Sequence, residues 1–338
     1  MKYLSLFTGI GGFELGIEQA HVYLSKRKGI QQGGDSQDST DNGFSFLGTE
    51  QSACIGYSEI DKYAIQTYQS HFPEHKNYGD ITLINEKELP DFDFLCGGFP
   101  CQAFSIAGKR AGFADTRGTL FFDIARILKE KQPRLLLLEN VKGLLSHDSG
   151  RTFKVILSTL TELGYDIQWQ VLNSKNFGVP QNRERVFIVG HLRGTPRPEV
   201  FPFGEGNRRD NEPQTETQGE GQRVRGNIAS TLAQRDYKGG NNLIQLNNPV
   251  HSNDRVYDKE GISPTLNTMQ GGNRQPFVKD EIKIRRLTPM ECERLQGFPD
   301  NWTAGVSDTQ RYKQCGNAVT VNVIQAIIEK LLTPPSRI

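Results

Sequence analysis

The residues Gly97-Gly98-Phe99-Pro100-Cys101-Gln102 follow Cys96 and the largely apolar run 92–95. The apolar run predicts a short buried strand, and the glycines let the backbone turn sharply and approach a ligand closely. Pro100 restricts the approach to Cys101. Open α/β sheets bind ligands at the carboxyl ends of their strands, so we expect Cys101 to be a nucleophile at such an edge. The alternative is a buried structural cysteine.

The same pattern, an apolar predicted strand with a polar side chain at one end, occurs twice more along the chain. Four leucines precede Glu139, and the segment 181–189 carries Arg183 and Arg185 on what we expect to be one face of a strand. A thiol, a carboxylate and guanidinium groups at one sheet edge suit covalent attack on a planar polar ring. Taken singly, Glu139 is equally well explained as a helix cap and Arg185 as an ion-pair partner.

A glycine-rich turn follows the first apolar stretch, 2–7, and precedes a predicted helix over 13–24. Such a turn offers backbone N–H groups and a helix N-terminus to a ligand. The dinucleotide-binding glycine pattern is incomplete, which favours a nucleoside with a short charged tail over a nicotinamide dinucleotide. Glu59 ends the next apolar stretch and is the candidate for the ribose hydroxyls. The intervening run 26–51 is rich in Gly, Ser, Asp and Gln and predicts an inserted surface loop.

Further motifs accompany these three in a fixed order. They are Phe7-Thr8-Gly9-Ile10-Gly11-Gly12, Gly79-Asp80-Ile81, the Pro100-Cys101 loop, Glu139-Asn140-Val141, Gln181 with Arg183 and Arg185, Arg286-Leu287-Thr288-Pro289, Leu295-Gln296-Gly297-Phe298-Pro299 and Gly316-Asn317-Ala318-Val319. With these motifs in this order, the chain resembles the DNA (cytosine-5-)-methyltransferase family of the bacterial or phage restriction-modification type. The resemblance covers the whole chain except the insertion and the variable recognition region.

The resemblance implies an α/β fold with a Rossmann-like, mostly parallel sheet and a smaller, irregular, β-rich target-recognition domain. The expected catalytic and cofactor-binding domain comprises 1–190 plus 305–338. The expected recognition domain with its hinge comprises 191–304, and DNA is expected in the cleft between the two.

The family's cofactor is S-adenosyl-L-methionine, which leaves as S-adenosyl-L-homocysteine, and no metal is expected. Glu59 is expected on the ribose and Asp80 on the adenine amino group. Many relatives carry an aromatic residue where this chain has Ile60, so adenine stacking there is expected to weaken to an apolar contact. The expected cofactor residues are Phe7, Thr8, Gly9, Ile10, Gly11, Gly12, Glu59, Ile60, Asp80, Ile81, Pro100, Leu120, Asn317, Ala318 and Val319.

The chemistry implied by the resemblance is methyl transfer to C5 of a cytosine that is flipped out of the duplex. Cys101 is expected to attack C6 as its thiolate. Glu139 is expected to bond and protonate N3, and Arg185, with Arg183 close by, to hold the O2 side of the ring.

Two segments have the composition of a DNA-binding surface. The segment 102–120 alternates glycines with basic residues, which predicts a lid over bound DNA or, alternatively, an ordinary solvated loop. The segment 221–279 has eight basic and four acidic residues, net +4, and carries a Thr-Leu pair twice, 34 residues apart. Its Asn, Gln and Arg side chains are the types that read base edges, although a structural β subdomain is the alternative. The expected DNA-binding residues are Gln102, Ser105, Lys109, Arg110, Arg117, Arg235, Asn241, Asn242, Gln270, Asn273 and Arg274.

Composition agrees with this assignment. No apolar run approaches the roughly 18 residues that span a membrane. Net charge is only +1, so a positive field that faces DNA has to be local. The five cysteines form no C-x-x-C pair, which argues against a disulfide scaffold or a zinc site and for the reducing cytoplasm. We expect a monomer that acts on double-stranded DNA, with a restriction endonuclease that acts on the same site without binding the protein.

The sequence leaves three alternatives to this function. The tRNA branch of the family shares the catalytic motifs, but its Cys-Phe-Thr signature is missing. A catalytically silent DNA-binding relative is disfavoured because all three catalytic groups are retained. A thiol hydrolase would need a histidine near Cys101, and none of the six histidines lies in a comparable motif.

Overall fold

The computed structural model describes residues 1–31, 52–100, 120–196, 198–204, 245–247, 255–259, 261–267, 275–280 and 283–333. It divides into two compact units. The first comprises Met1–Leu172, Glu184–Phe203 and Val323–Ile338, and the second comprises Asn173–Arg183 and Gly204–Asn322. Relative to the domains expected from sequence, the second unit also takes in the segment that ends at Arg183 and the residues 305–322.

Strands and helices alternate along the first half of the chain. The helices are α1 (Gly12–Gln31), α2 (Lys62–His71), α3 (Leu120–Lys131), α4 (Arg151–Glu162), α5 (Pro289–Leu295), α6 (Asp308–Asn317) and α7 (Val321–Leu332). The strands are β1 (Lys2–Leu6), β2 (Ala53–Ser58), β3 (Phe94–Gly98), β4 (Leu135–Val141), β5 (Tyr165–Asn173), β6 (Gln181–Asn182), β7 (Glu184–Leu192), β8 (Val256–Asp258), β9 (Ser263–Pro264), β10 (Phe277–Asp280) and β11 (Lys283–Arg286).

The first unit is built on a six-stranded sheet with the order β2-β1-β3-β4-β7-β5. The pairs β1–β2, β1–β3 and β3–β4 are parallel, and β4–β7 is antiparallel. The four leucines of β4 are at most 3% exposed, as expected for a strand that is covered on both faces. This mostly parallel α/β sheet confirms the fold class predicted from the sequence.

The helices of the first unit bury one face each. In α3 the buried residues are Phe121, Ile124, Ala125, Ile127 and Leu128, which recur at helical spacing. All of them except Ala125 join a core cluster that also contains side chains of β1, β3, β4 and β7. This packing fixes the carboxyl ends of the central strands, among them the end of β4 at which Glu139 lies.

Helix α1 is longer than the sequence predicted. It continues to Gln31, so the first six residues of the predicted insertion 26–51 are helical. The remainder of that insertion lies outside the described residues. A polar sequence with few helix breakers before Gly29 is compatible with an exposed helical extension.

The second unit contains small sheets and short helices. Strands β11, β10 and β8 form one sheet, and β6 pairs with β9 in parallel. Helix α5 begins with a capping box, in which the side chains of Thr288 and Glu291 satisfy each other's backbone N–H groups. Its Glu293 is fully buried and accepts hydrogen bonds from the backbone N–H groups of Asn301 and Thr303. This network ties α5 to the chain that leads into α6.

No helix in the described ranges has both the length and the apolar character required to cross a bilayer.

Candidate active site and cofactor site

A glycine turn with left-handed backbone angles joins β1 to α1. Phe7 has φ 54°, Gly9 has φ 58° and Gly11 has φ 89°, all in the left-handed region. A Cβ built on Gly9 would meet nothing within 4 Å, whereas one on Gly11 would lie 2.6 Å from the ring of Phe72. Gly11 therefore permits close packing beneath the turn, and Gly9 leaves its outer side open. An open turn before a helix suits the charged tail of a nucleoside ligand.

Beneath the turn lies a buried chain of hydrogen bonds. The hydroxyl of Ser5 donates to Thr8 Oγ1 at 3.2 Å, and Thr8 Oγ1 donates to Glu14 Oε1 at 2.7 Å. Glu14 is fully buried, and its Oε2 has no hydrogen-bond partner among the described residues. Burial raises the pKa of this carboxyl above its ordinary value.

We expect Glu14→Gln to change how stability depends on pH. Because the pKa of Glu14 is raised in the folded state, its proton stabilises the fold below the ordinary carboxyl pKa of about 4.3. That contribution is lost as pH rises through the raised value. Glutamine keeps the acceptor for Thr8 and does not titrate, so the variant should gain stability relative to the wild type as pH rises, by about 1.4 kcal/mol for each pH unit that separates the folded and unfolded pKa values. Urea unfolding at pH 5 and pH 8.5 measures this difference.

Glu74→Gln is the matched control, because Glu74 is exposed. It should leave the pH dependence of stability unchanged. Unfolding curves for Glu14→Gln that stay parallel to the wild type across this pH range would contradict the assignment.

The carboxylate of Glu59 lies beside the glycine turn. Its Oε2 accepts from the backbone N–H of Gly9 at 2.9 Å, and its Oε1 accepts from those of Ile60 and Asp61 at 2.8 and 2.9 Å. Three N–H donors fix the orientation of the carboxylate. The side chain of Ile60 is 71% exposed, so it offers apolar surface next to Glu59.

Asp80 follows a tight turn that is held from two sides. Ser58 Oγ donates to the carbonyl of Gly79 at 2.6 Å, and the N–H of Gly79 donates to Asn77 Oδ1 at 2.8 Å. Asp80 Oδ1 then accepts from the N–H and the hydroxyl of Thr82, at 2.9 and 2.8 Å, and caps a short 3-10 helix. The turn thus fixes Asp80 at the start of the 3-10 helix, while Glu59 follows β2 in the same unit.

Arg126 is a functional candidate that the sequence analysis missed. From α3 it donates to the main-chain carbonyls of Ile81 and Ile84, and it pairs with Glu86 and Asp123. This clamp holds the chain immediately after Asp80. In the sequence, Arg126 lies between the apolar positions of the amphipathic helix α3 and three residues after Asp123. This i,i+3 spacing was the only signal that could have indicated an ion pair there.

The remaining cofactor candidates of the first unit differ in exposure. Ile10 and Ile81 are buried, at 1% and 3% exposed, and therefore act as packing beneath their turns. Pro100 is exposed after β3, and Leu120 is half-buried at the start of α3. Their contact with a cofactor stays a prediction.

We expect Asp80→Asn and Glu59→Gln each to weaken binding of S-adenosyl-L-homocysteine. Each variant loses a charge-assisted hydrogen bond, which costs about 1–3 kcal/mol. Titration calorimetry without DNA measures the loss, and Glu74→Gln serves again as the surface control. Unchanged cofactor affinity in both variants would contradict the proposed pocket, while DNA affinity without cofactor should change little.

The candidate catalytic carboxylate and guanidinium meet at the ends of two neighbouring strands. Arg185 Nε lies 3.0 Å from Glu139 Oε1, with the side chains 17% and 11% exposed. In the sheet register, Arg185 on β7 is opposite Val141 on β4. The pair is therefore nearly buried and preorganised, and it leaves little freedom to either group.

The loop that leads to Cys101 starts beside this pair. Gly98, the last residue of β3, is opposite Glu139 in the parallel register. Asn140 Nδ2 donates to the carbonyl of Phe99 at 2.8 Å and ties the loop to β4. Cys101 itself lies outside the described residues, so its role as nucleophile stays a prediction.

The four described cysteines are poor alternatives to Cys101 as nucleophiles. Cys96, Cys292 and Cys315 are buried, and burial raises the pKa of each thiol. Burial raises the pKa of Cys54 to about 12. Because the thiolate is the nucleophile, raised pKa values make these groups unreactive at neutral pH.

Arg183 has a different setting from the one expected. The single strand predicted over 181–189 is interrupted at Arg183, which lies between β6 and β7. The residue is 2% exposed, and its guanidinium donates to main-chain carbonyls of Leu266, Gly316 and Ala318. The two arginines therefore do not share one face of a single strand. We replace the expected role at the cytosine ring with a structural one.

The Asn317-Ala318-Val319 motif lies at the end of α6 in the second unit. Ala318 and Val319 are 6% and 8% exposed, while the side chain of Asn317 is exposed. Their part in cofactor binding stays a prediction.

The DNA-binding predictions fall outside the described residues. This holds for all of them: Gln102, Ser105, Lys109, Arg110, Arg117, Arg235, Asn241, Asn242, Gln270, Asn273 and Arg274.

The described ranges contain no group of three or more His, Cys, Asp or Glu arranged to hold a metal ion.

Comparison with known proteins identifies the family. A family model described as C-5 cytosine-specific DNA methylase matches residues 1–333. The Type II methyltransferase M1.ScrFI of Lactococcus lactis subsp. cremoris is 42% identical over 98% of this chain and 78% of its own length. The Type II methyltransferase M.HhaI of Haemophilus parahaemolyticus is 35% identical over 97% of this chain and 93% of its own length.

Solved structures agree with the fold. The Dnmt2 methyltransferase of S. pombe superposes with a TM-score of 0.63 at 19% identity, with 98% of each chain covered. A putative DNA modification methyltransferase encoded within an E. coli prophage gives a TM-score of 0.61 at 21% identity, also with 98% of each chain covered. The family model and the named relatives favour the DNA branch over the tRNA branch considered from the sequence. The chain belongs to the C-5 cytosine-specific DNA methylase family.

Proposed function

We propose that this protein methylates C5 of a flipped-out cytosine within a specific double-stranded DNA sequence, with Cys101 as the covalent nucleophile. The observation that carries the proposal is the ion pair of Glu139 and Arg185, 3.0 Å apart, next to the strand end that leads into the Cys101 loop. An acid and a cation held at one edge suit the N3 and O2 atoms of a cytosine ring.

The residues of the first unit fit S-adenosyl-L-methionine. The open side of Gly9 accommodates a charged tail, the carboxylate of Glu59 faces the same turn, and Asp80 follows on the next segment. Glu59 would accept hydrogen bonds from the ribose hydroxyls, and Asp80 would accept one from the adenine amino group. Asn317 and Val319 are proposed as further contacts. When bound, the cofactor supplies an electrophilic methyl group and leaves as S-adenosyl-L-homocysteine.

The chain's own residues activate the cytosine. The Cys101 thiolate forms a bond to C6 while Glu139, protonated when the cytosine enters the site, donates that proton to N3, so that no charge accumulates on the ring. Arg185 holds O2 and orients Glu139 through the contact of its Nε with Oε1. After C5 has been methylated and a water molecule has taken its proton, the Cys101 Sγ–C6 bond breaks and the N3 proton returns to Glu139. These steps leave the enzyme unchanged.

DNA recognition is assigned to 221–279, and phosphate contacts to the basic residues that follow Cys101. We expect Lys109, Arg110 and Arg117 to neutralise DNA phosphates. Replacing any of them should therefore lower affinity for all DNA sequences alike. Replacing a base-reading side chain in the recognition segment should cost about 1–3 kcal/mol of binding free energy and relax specificity at one base pair of the target only.

Grafting 221–279 into a relative with a different target should transfer the target sequence. The specificity of the recipient should change because the base-reading side chains move with the segment. Sequencing of methylated sites measures the outcome. A chimera that keeps the recipient's target would show that recognition lies elsewhere in the chain.

The experiment that tests the function is methylation of a plasmid by the purified protein, followed by mapping of 5-methylcytosine. Methylated cytosines at one short recurring sequence are expected. Methyl transfer to tRNA in place of the plasmid, or none to either, would overturn the proposal.

We further propose that the protein is a cytoplasmic monomer whose cognate restriction endonuclease acts on the same DNA site without direct binding. The names of the relatives as Type II methyltransferases support a cognate endonuclease. The four described cysteines are free thiols, which supports the reducing cytoplasm. Sedimentation at micromolar concentration should give a single species with the mass of one chain. A dimer would contradict this assignment.

A further inference from the structure

The buried guanidinium of Arg183 joins two stretches of the second unit that are far apart in sequence. Its Nη1 donates to the carbonyl of Leu266 at 3.1 Å, and its Nη2 donates to the carbonyls of Gly316 and Ala318 at 3.0 and 2.9 Å. Hydrogen bonds from a charged donor are among the stronger ones in a folded protein. Arg183 therefore holds both stretches in one arrangement.

The first stretch is Thr265-Leu266, the second copy of the Thr-Leu pair in the recognition segment. Thr265 Oγ1 donates to the carbonyl of Asn182 at 2.6 Å, and the N–H of Leu266 donates to Gln181 Oε1 at 3.2 Å. Together with the bond from Arg183, the three consecutive residues 181–183 fix this pair at three points. The recognition segment is anchored here.

The second stretch runs on both sides of Asn317, a candidate cofactor residue. Arg183 bonds the carbonyls immediately before and after it. Gln296 Nε2 donates to the carbonyl of Cys315 at 2.7 Å, and its Oε1 accepts from Thr320 Oγ1 at 2.9 Å. The backbone around Asn317 is thus held while its side chain remains exposed.

We propose that Arg183 is a positioning residue that couples cofactor binding to the reading of the DNA sequence. A planar guanidinium has its donors in a fixed fork, so it bonds all three carbonyls in only one relative arrangement of the two stretches. A shift of either stretch then weakens the bonds to the other. This inference rests on the proposed function, which gives the two stretches their roles in recognition and in cofactor binding.

The test uses Arg183→Lys in the full chain. Lysine keeps the positive charge but has one compact ammonium group in place of the fork. The affinity for S-adenosyl-L-homocysteine is measured by calorimetry with and without saturating target duplex, and methylation rates are compared between the target and a single-mismatch site. The wild type should show a coupling of about fivefold or more between the two ligands. In Arg183→Lys this coupling should largely disappear, and the preference for the target over the mismatch should fall.

Two control variants each remove side-chain hydrogen bonds of one stretch only. Thr265→Val removes the bond to the carbonyl of Asn182, and Gln296→Met removes the bonds to Cys315 and Thr320. Each should weaken its own function and keep the coupling. If Arg183→Lys does not fold, the double variant of these two controls takes its place. With Arg183 present their effects should be non-additive, and additive effects would overturn the inference.

The outcomes separate the inference from the function on which it rests. A wild-type enzyme that methylates DNA without any coupling, or an Arg183→Lys variant with full coupling and full specificity, overturns the role of Arg183 alone. A wild-type protein that neither binds S-adenosyl-L-homocysteine nor methylates DNA overturns the proposed function.

Discussion

Replacing Cys101 by serine is expected to abolish methyl transfer to DNA. The serine hydroxyl is not ionised at neutral pH, so the bond to C6 cannot form at a useful rate. We expect the rate to fall by at least about a thousandfold, which corresponds to about 4 kcal/mol in the activation barrier. Transfer of a radiolabelled methyl group to the target duplex under single-turnover conditions measures this loss.

Cys54→Ser is the matched control for that experiment. The thiol of Cys54 donates to the carbonyl of Gly56, a bond that serine can replace, and burial raises its pKa to about 12. This variant should keep methyl transfer close to the wild-type rate. A Cys101→Ser enzyme that methylates comparably to the wild type would show that another group attacks the ring.

Glu139→Gln should give the second largest loss of activity. Glutamine fills the same space and can still bond the ring, but it cannot donate a proton to N3. General acid catalysis typically contributes about 10²–10⁴-fold, and we expect a loss of that size in the single-turnover rate. Because the change is confined to the catalytic edge, affinity for S-adenosyl-L-homocysteine should stay the same.

The control for Glu139 is Glu184→Gln. Glu184 precedes Arg185, pairs with Lys142 at 2.8 Å and has a side chain that is 42% exposed. Its replacement should leave the methylation rate within about threefold of the wild type, because exposed ion pairs contribute about 1 kcal/mol or less. Equal losses in both variants would indicate that the effect is general electrostatics and not proton donation by Glu139.

Strands β3 and β4 could be predicted because their sequences are apolar, and the four leucines before Glu139 placed that carboxylate at a sheet edge. Strand β5, with the sequence YDIQWQVLN, has no such run and was not predicted. The ion pair of Glu139 with Arg185 then follows from the pairing of β4 with β7.

Other features depend on contacts that no local pattern encodes. Arg183 and Arg185 are two residues apart, and alternation in a strand predicted one shared face. A local bond from the N–H of Arg183 to the carbonyl of Gln181 accompanies the break between β6 and β7. The partners of Arg183 are 83 to 135 residues away, so neither its burial nor its carbonyl ligands could be read from the sequence. Arg126 was missed for the same reason.

The central claim is that Cys101 forms a covalent bond to the target cytosine, and the most direct test is trapping with 5-fluorocytosine. Fluorine at C5 cannot leave as the proton does, so the enzyme should remain attached to DNA after methylation. The account predicts a denaturation-stable adduct in the presence of S-adenosyl-L-methionine, located by mass spectrometry on the peptide that contains Cys101. Absence of any adduct from an enzyme that methylates the normal duplex, or an adduct on another cysteine, would contradict it.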